Sequence, residues 1–540
     1  MIKIKNSILG VGLAFASLST FTGCIDETQP TDMATSDQVS QSASAVEGLV
    51  MAMPAFFNNL NMDFYSPTRY DFNFGYGSMI RIRATLTEPF VTGGSGYDWY
   101  SPWAQCEALS QDAARSNYVW TYYYKFIQTA NNVISTINEE TATDEQKGYI
   151  AAAKAFRALA YLDLGRMYEY LPTDVTSGVN ADGNDVTGLT VPIVKEGMSE
   201  TEARNNPRVK KEDLIAFIKS DLEYAEQNIG KLTLDEKTLP HLDCVYGLEA
   251  RLYMWEGDYA KAQTAAENAI KNSSVQPMTQ AQCLNATTGF NTLSDFMWGS
   301  QQTSEDDAVI TGIINWESWM CNEQSFGYCG GGTGDFIKID TLAYNRLNDT
   351  DFRKLEWVAP AGSPIADKVS FVNKTYGASM PALASVKFRP NKGDMTTPSI
   401  AAATAFPIMR VEEMYYIRME AAAQQDPAKG KELLEMFMRT RDPKYTCDAT
   451  SKDDIIKEIY FQKCIDLWGE GITFFDMKRL GYSLTRGYKG TNHAVGCRIN
   501  TNGRPAFTNF VIYRTEAENN TALKGWNNPD PSGKYTPWTE

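Results

Sequence analysis

Histidine is nearly absent, with only His241 and His493 in 540 residues. A His-based triad or an imidazole metal centre has almost nothing to draw on. HExxH, GxSxG, Walker and dinucleotide-binding patterns are missing as well. Gly93-Gly94-Ser95-Gly96 is no nucleophile elbow, because Tyr97 stands where the second glycine is required. No basic run reaches five residues and the net charge is -16. That excludes nucleic acid as a partner, since phosphate binding needs clustered Lys and Arg. The nine cysteines show neither CxxC nor zinc spacing, so no metal and no cofactor is expected. Asn180-Ala181-Asp182-Gly183-Asn184-Asp185 has oxygens near a glycine but lacks the EF-hand pattern, and reads as a solvated loop. No catalytic residue is assigned: the 66 acidic residues contain many carboxylate pairs, and none is singled out as a glycosidase pair.

Long apolar runs are also missing, except at the start. Lys3 and Lys5 precede Ile8 to Phe21, and Phe21-Thr22-Gly23-Cys24 ends in the small-small-Cys pattern of a lipobox. The run of about 14 residues is short of the roughly 20 that span a bilayer. Residues 1–23 therefore read as a lipoprotein signal peptide. Cys24 is then the lipid (palmitate-type) anchor of a protein tethered to, not spanning, an outer membrane. Residues 24–43, polar after Asp26 and Glu27, read as a flexible leash. Of the other cysteines, Cys321 and Cys329 form the most plausible local disulfide, while Cys244 and Cys464 look like small buried hydrophobes.

Helical periodicity dominates the remainder. Helices are expected over Ala45 to Asn61 (capped by Ser42 or Ser44, and kinked or split at Pro54), Val119 to Glu140 and Thr143 to Tyr170. Others cover Lys211 to Ile229, Leu242 to Asn272, Val411 to Gln425, Ala428 to Arg441 and Lys452 to Leu480. Ala250, Gly257, Tyr259, Ala262, Ala266 and Ala269 follow tetratricopeptide spacing, with Gly257-Asp258-Tyr259 as the bend. One such unit cannot cover its own apolar face, so several stack. The expected fold is mainly α. Tetratricopeptide-like repeats form a superhelical scaffold in one domain, 44–540, with large irregular loop insertions and a few short strands. The insertions cover about 62–103 and 277–404, and the second is long enough to need structure of its own.

Aromatics are in surplus, with 28 Tyr and 11 Trp. A pyranose ring lays its C–H face on Trp or Tyr, and its hydroxyls want Asp, Asn, Glu or Gln at the rim. Two insertions offer both: Tyr97, Asp98, Trp99 and Tyr100 in one, and Asn315, Trp316, Glu317 and Trp319 in the other. Trp298, in an expected strand, joins them as a candidate that can face either way. Trp255 and Trp468 lie on helices and read as structural.

Several blocks, in order, resemble the SusD/RagB family. They are Ala155 to Tyr168 followed by Pro172, Val191-Pro192-Ile193-Val194, Arg208-Val209 leading to Ser220 to Ala225, Ala250 to Tyr259, Pro407 to Ala421, and Asp466 to Arg479. The sequence departs from the family pattern at Gln462-Lys463, at Asp466-Leu467 and at Thr473, positions expected to form ties between helices. The resemblance implies a non-catalytic lipoprotein that binds glycan (polysaccharide or oligosaccharide) at the cell surface. It also implies a TonB-dependent, SusC-like transporter as partner and glycan contacts in the two insertions. A peptide-capturing member of the same family and a surface glycoside hydrolase are the alternatives.

Overall fold

The computed structural model describes residues 42–60, 70–93 and 99–539. Cys24, the expected signal peptide, most of the leash, Tyr97 and Asp98 lie outside them.

The first helix, α1 (Ala43–Phe56), starts where Ser42 accepts the Ala45 N–H. Pro54 does not split it. The proline sits in the last turn, where the helix stops. After the short α2 (Tyr76–Thr85) come α3 (Ala114–Thr136) and α4 (Asp144–Tyr168). The start of α4 is a capping box between Thr143 and Gln146. Its alanines, from Ala151 to Ala160, are buried. Small side chains let α3 and α5 (Lys211–Asn228) lie close on either side of it.

The tetratricopeptide spacing resolves into α6 (Leu242–Glu256) and α7 (Tyr259–Asn272). Gly257 between them has φ +90°, which a side chain would strain. Asp258 caps α7 through the Lys261 N–H. The inserted segment 277–404 carries short helices, among them α8 (Trp316–Met320). Beyond it run α9 (Val411–Gln425), α10 (Pro427–Met438), α11 (Lys452–Asp466) and α12 (Thr473–Leu480). Neighbours pack in sequence, α5 on α6, α6 on α7, α7 on α9, then α10 and α11 on α9. The fold is mainly α, with tetratricopeptide-like stacking.

The single helix expected over Lys452 to Leu480 is instead two. Gly469 and Gly471 have φ of +79° and +69°. A Cβ on Gly471 would lie 2.5 Å from the Ile80 carbonyl, and one on Gly469 2.7 Å from the Phe388 ring. The bend lets α2 and the inserted segment come against the chain here.

Buried charges tie the helices together. Arg157 on α4 grips Asp221 on α5 through two bonds of 2.8 and 2.7 Å. Arg251 on α6 grips Glu413 on α9 at 2.8 and 2.6 Å. Asp163 on α4 receives Arg83 and Arg166 at 3.0 and 2.9 Å, together with the Tyr76 and Tyr123 hydroxyls. Asp466 receives Arg441 at 3.1 Å, with Arg353 and Arg410 each at 3.9 Å. At the departures from the family pattern, Lys463 meets Asp476 at 2.7 Å and Gln462 takes an Arg353 N–H at 2.5 Å.

Strands are few. β1 (Phe90–Val91) pairs antiparallel with β3 (Lys338–Ile339), β2 (Trp298–Gln301) with β4 (Ala405–Met409), and β5 (Ile499–Asn500) with β6 (Thr536–Pro537). The β2–β4 ladder closes the 277–404 segment onto the scaffold, and the Gly299 N–H adds a bond to the Lys237 carbonyl. No cysteine among the described residues is bridged. Cys329 donates to the Trp319 carbonyl, and Cys321 is buried beside Glu317. The expected Cys321–Cys329 bond is therefore not formed.

Candidate functional site

Most of the aromatic candidates are packing residues. Trp298 is fully buried, its indole N–H donates to the Thr238 carbonyl at 3.0 Å, and Phe57 and Phe156 meet its ring edge-on. Trp316 and Trp319 are both buried, although they sit on a short helix within a loop insertion. Trp316 lies between Phe388 and Phe406. Trp319 stacks on Tyr328 at 4.1 Å and 5° and takes the edge of Tyr100. Tyr100 is itself fully buried and shares a 2.9 Å hydrogen bond with Ser78. These four rings offer no face to a ligand. An insertion of this length needs a core, and large aromatics supply one.

The polar candidates are also internal. Asn315 caps α8, accepting the Ser318 N–H at 2.8 Å. Glu317 is fully buried, and burial pushes its carboxyl up to about 8. It is held as the neutral acid at neutral pH and cannot act as an exposed hydroxyl acceptor.

Trp99 differs. It is partly exposed, with its ring 6.1 Å from Tyr70 at 90° and 6.1 Å from Phe72 at 70°. Tyr70, partly exposed as well, stacks on buried Phe72 at 5.2 Å. Trp103 meets Phe72 edge-on from below. On the other side the Trp319 indole donates to the Asp71 carbonyl at 3.0 Å, and the Tyr328 hydroxyl donates to the Asp71 carboxylate. The buried Trp319–Tyr328 stack thus backs a corner whose outer members are Tyr70 and Trp99. Of the predicted residues that are described, this arrangement keeps only Trp99 at the surface. Tyr70 was not singled out from the sequence. Its signal is the alternation Tyr70-Asp71-Phe72-Asn73-Phe74, a spacing of two that in extended chain puts the aromatics on one side, where Tyr70 continues the buried Phe72 outward.

Two family models match the chain. One, described as starch-binding associating with outer membrane, covers residues 77–254, and one described as the SusD family covers residues 334–535. The chain belongs to the SusD/RagB family. A SusD-like protein from Bacteroides ovatus is 23% identical over 211 residues, which are 35% of this chain and 34% of that relative. The match thus spans about a third of the curated relative's length. Among solved structures, a SusD-like carbohydrate binding protein from Bacteroides vulgatus superposes with TM-score 0.67 at 19% identity, covering 89% of this chain and 97% of that one. Surface glycan-binding protein A from Bacteroides uniformis gives TM-score 0.60 at 16% identity, with 89% and 99% covered. At these identities the likeness establishes the SusD-type fold.

Proposed function

We propose that this SusD-family chain binds polysaccharide or oligosaccharide at the outer face of the outer membrane, without cleaving it, and passes it to a TonB-dependent, SusC-like transporter. The observation that carries the reading is the Tyr70–Trp99 corner, a partly exposed pair of aromatic faces on a rigid helical body. A sugar ring stacks its C–H face on such a surface, and polar groups at the rim orient it. Membership in the family and the likeness to a carbohydrate binding protein and a surface glycan-binding protein support the same reading. Cys24 is the proposed lipid anchor, and transport depends on it.

Affinity electrophoresis against plant and host polysaccharides, followed by calorimetry on the retarding glycan, tests the proposal. Trp99→Ala with Tyr70→Ala is expected to weaken binding by about tenfold or more, the scale of one or two lost aromatic stacks. Unchanged affinity in that variant sinks the site. Saturable binding of peptide, with no glycan bound, sinks the substrate class. New reducing ends in the incubated polysaccharide would make the protein a hydrolase instead. Cys24→Ala is expected to abolish uptake in cells while leaving glycan binding by the purified protein intact.

A further inference from the structure

A cleft of about 190 Å³ opens where α4, α6, α9 and α12 converge, well inside the helical scaffold. Seven cationic side chains line it against three acidic ones. The chain as a whole carries a net charge of -16, so the cleft reverses the sign of the molecule.

Some buried guanidinium groups outside the cleft, such as Arg157 and Arg353, are each gripped by a carboxylate through two hydrogen bonds. Here the pairing is incomplete. On the floor, Arg251 spends one edge on Glu413, but its Nη1 is buried with no acceptor among the described residues. Arg479 reaches Glu420 and Asp476 through Nη2, and its buried Nη1 likewise has no acceptor. Among the described residues the Lys478 ammonium reaches only main-chain oxygens, those of Met167 and Glu169 at 2.8 and 2.7 Å. Burial drives it well below the ordinary lysine range, only partly offset by Glu169, with Arg504 and Arg208 pushing the same way. At the edge Arg504 donates to the carbonyls of Lys478 and Pro172, and its guanidinium also lies lower than usual through burial. Lys211, partly exposed, stands 3.7 Å from Glu169.

Buried N–H groups without acceptors are rare in folded proteins, and an uncompensated buried cation is costly. A cleft lined by both, with the cationic side chains of Lys211 and Arg504 at its edge, is built to receive negative charge. A pocket with low-dielectric walls and one sign of charge also concentrates counter-ions from solution. We propose that this cleft binds a compact oxyanion, the chemistry shared by free sulfate or phosphate and by the carboxylate of an acidic sugar. Arg251 and Arg479 would present their spare Nη1 donors from within, and Lys211 and Arg504 would close on the anion from outside. This site is separate from the Tyr70–Trp99 corner and does not rest on the function proposed for it.

The test is calorimetry of the full chain with sodium sulfate, sodium phosphate and sodium galacturonate, each at ionic strength matched with sodium chloride. Saturable one-site binding of at least one probe, absent with chloride, is expected. The Lys211→Gln/Arg504→Gln variant, whose edge positions spare the core, is expected to bind about tenfold more weakly, as for loss of a charge-assisted bond. Lys429→Gln, an exposed lysine outside the cleft, is expected to match the parent. Binding of sulfate or phosphate alone assigns the site to an inorganic ion. Binding of galacturonate, with galactose inert, assigns it to the sugar acid. Indistinguishable titrations for every probe and chloride overturn the proposal, as does equal affinity in the double variant once circular dichroism shows it folded.

Discussion

Asp466 on α11 and Glu317 on α8 are both buried carboxyl groups, one in the helical scaffold and one in the inserted segment. Burial favours the neutral form of each, yet Arg441, Arg353 and Arg410 hold Asp466 well below the carboxylate range. Asp163 is lowered likewise by Arg83 and Arg166, against its burial. In the insertion, burial wins. Glu317 is pushed up to about 8 and Glu356 to about 7, and Glu323 also rises despite Arg389. These two scaffold acids are held ionised by buried arginines, whereas Glu317 and Glu356 sit in an insertion packed around rings, where burial raises them. A tie between helices needs a donor and an acceptor at defined positions. A segment with little regular structure is filled by large apolar rings instead.

The comparison can be broken most forcefully in the scaffold. Asp466→Ala leaves three buried arginines short of a partner, and about 3–5 kcal/mol of unfolding free energy should be lost in denaturant titrations. Trp319→Ala removes the centre of the insertion's ring packing and is expected to cost a similar amount, about 3–5 kcal/mol. A cost under 1 kcal/mol for Trp319→Ala would mean that the insertion does not depend on its rings.

Protons sharpen the contrast. Stability from Asp163 and Asp466 is present above their unfolded pKa and is lost as acid takes the pH down through the lowered folded values. Glu317 has the opposite sign. Its raised folded pKa gives stability that is full below the unfolded value, declines above it, and is lost as pH rises through about 8. Glu317→Gln should therefore gain on the parent between pH 5 and pH 9, by about 4 kcal/mol at roughly 1.36 kcal/mol per pH unit up to about pH 8. A flat difference across that range in thermal melts would show that Glu317 is not held neutral. The smallest stability effect is expected for Trp99→Ala, about 1 kcal/mol or less, because the ring is only partly covered. Its consequence should appear in glycan affinity, and a large drop in melting temperature would instead make Trp99 another packing residue.

The scaffold was well legible because its signals are local. Val411 to Gln425 matches α9 residue for residue, Thr143 starts α4, and Gly257 is the bend. The merged helix over Lys452 to Leu480 went wrong because the glycines that break it are required by distant backbone, such as the Ile80 carbonyl, which sequence spacing does not display. The candidate site was far less legible. Polar neighbours around Trp316 and Trp319 suggest exposure, but Asn315 is spent on a helix cap and Glu317 is buried. Whether a loop ring faces inward depends on the rings it meets, and Tyr328 and Phe388 are 9 and 72 residues further along the chain. Trp99 stays outward at the end of a cluster whose other side is formed by Tyr70 and Phe72.

The Lys478 ammonium, seen above as part of a cleft, also bonds main-chain oxygens at the end of α4 across sequence separations of 311 and 309. Arg208 and Asn528 add to this knot, joining the Tyr168 carbonyl to the last fifteen residues. The central helix of the first half is thus finished by residues more than 300 positions further along the chain. Contacts of such long range form slowly and late. The end of α4 is therefore completed only after most of the chain has folded back onto it.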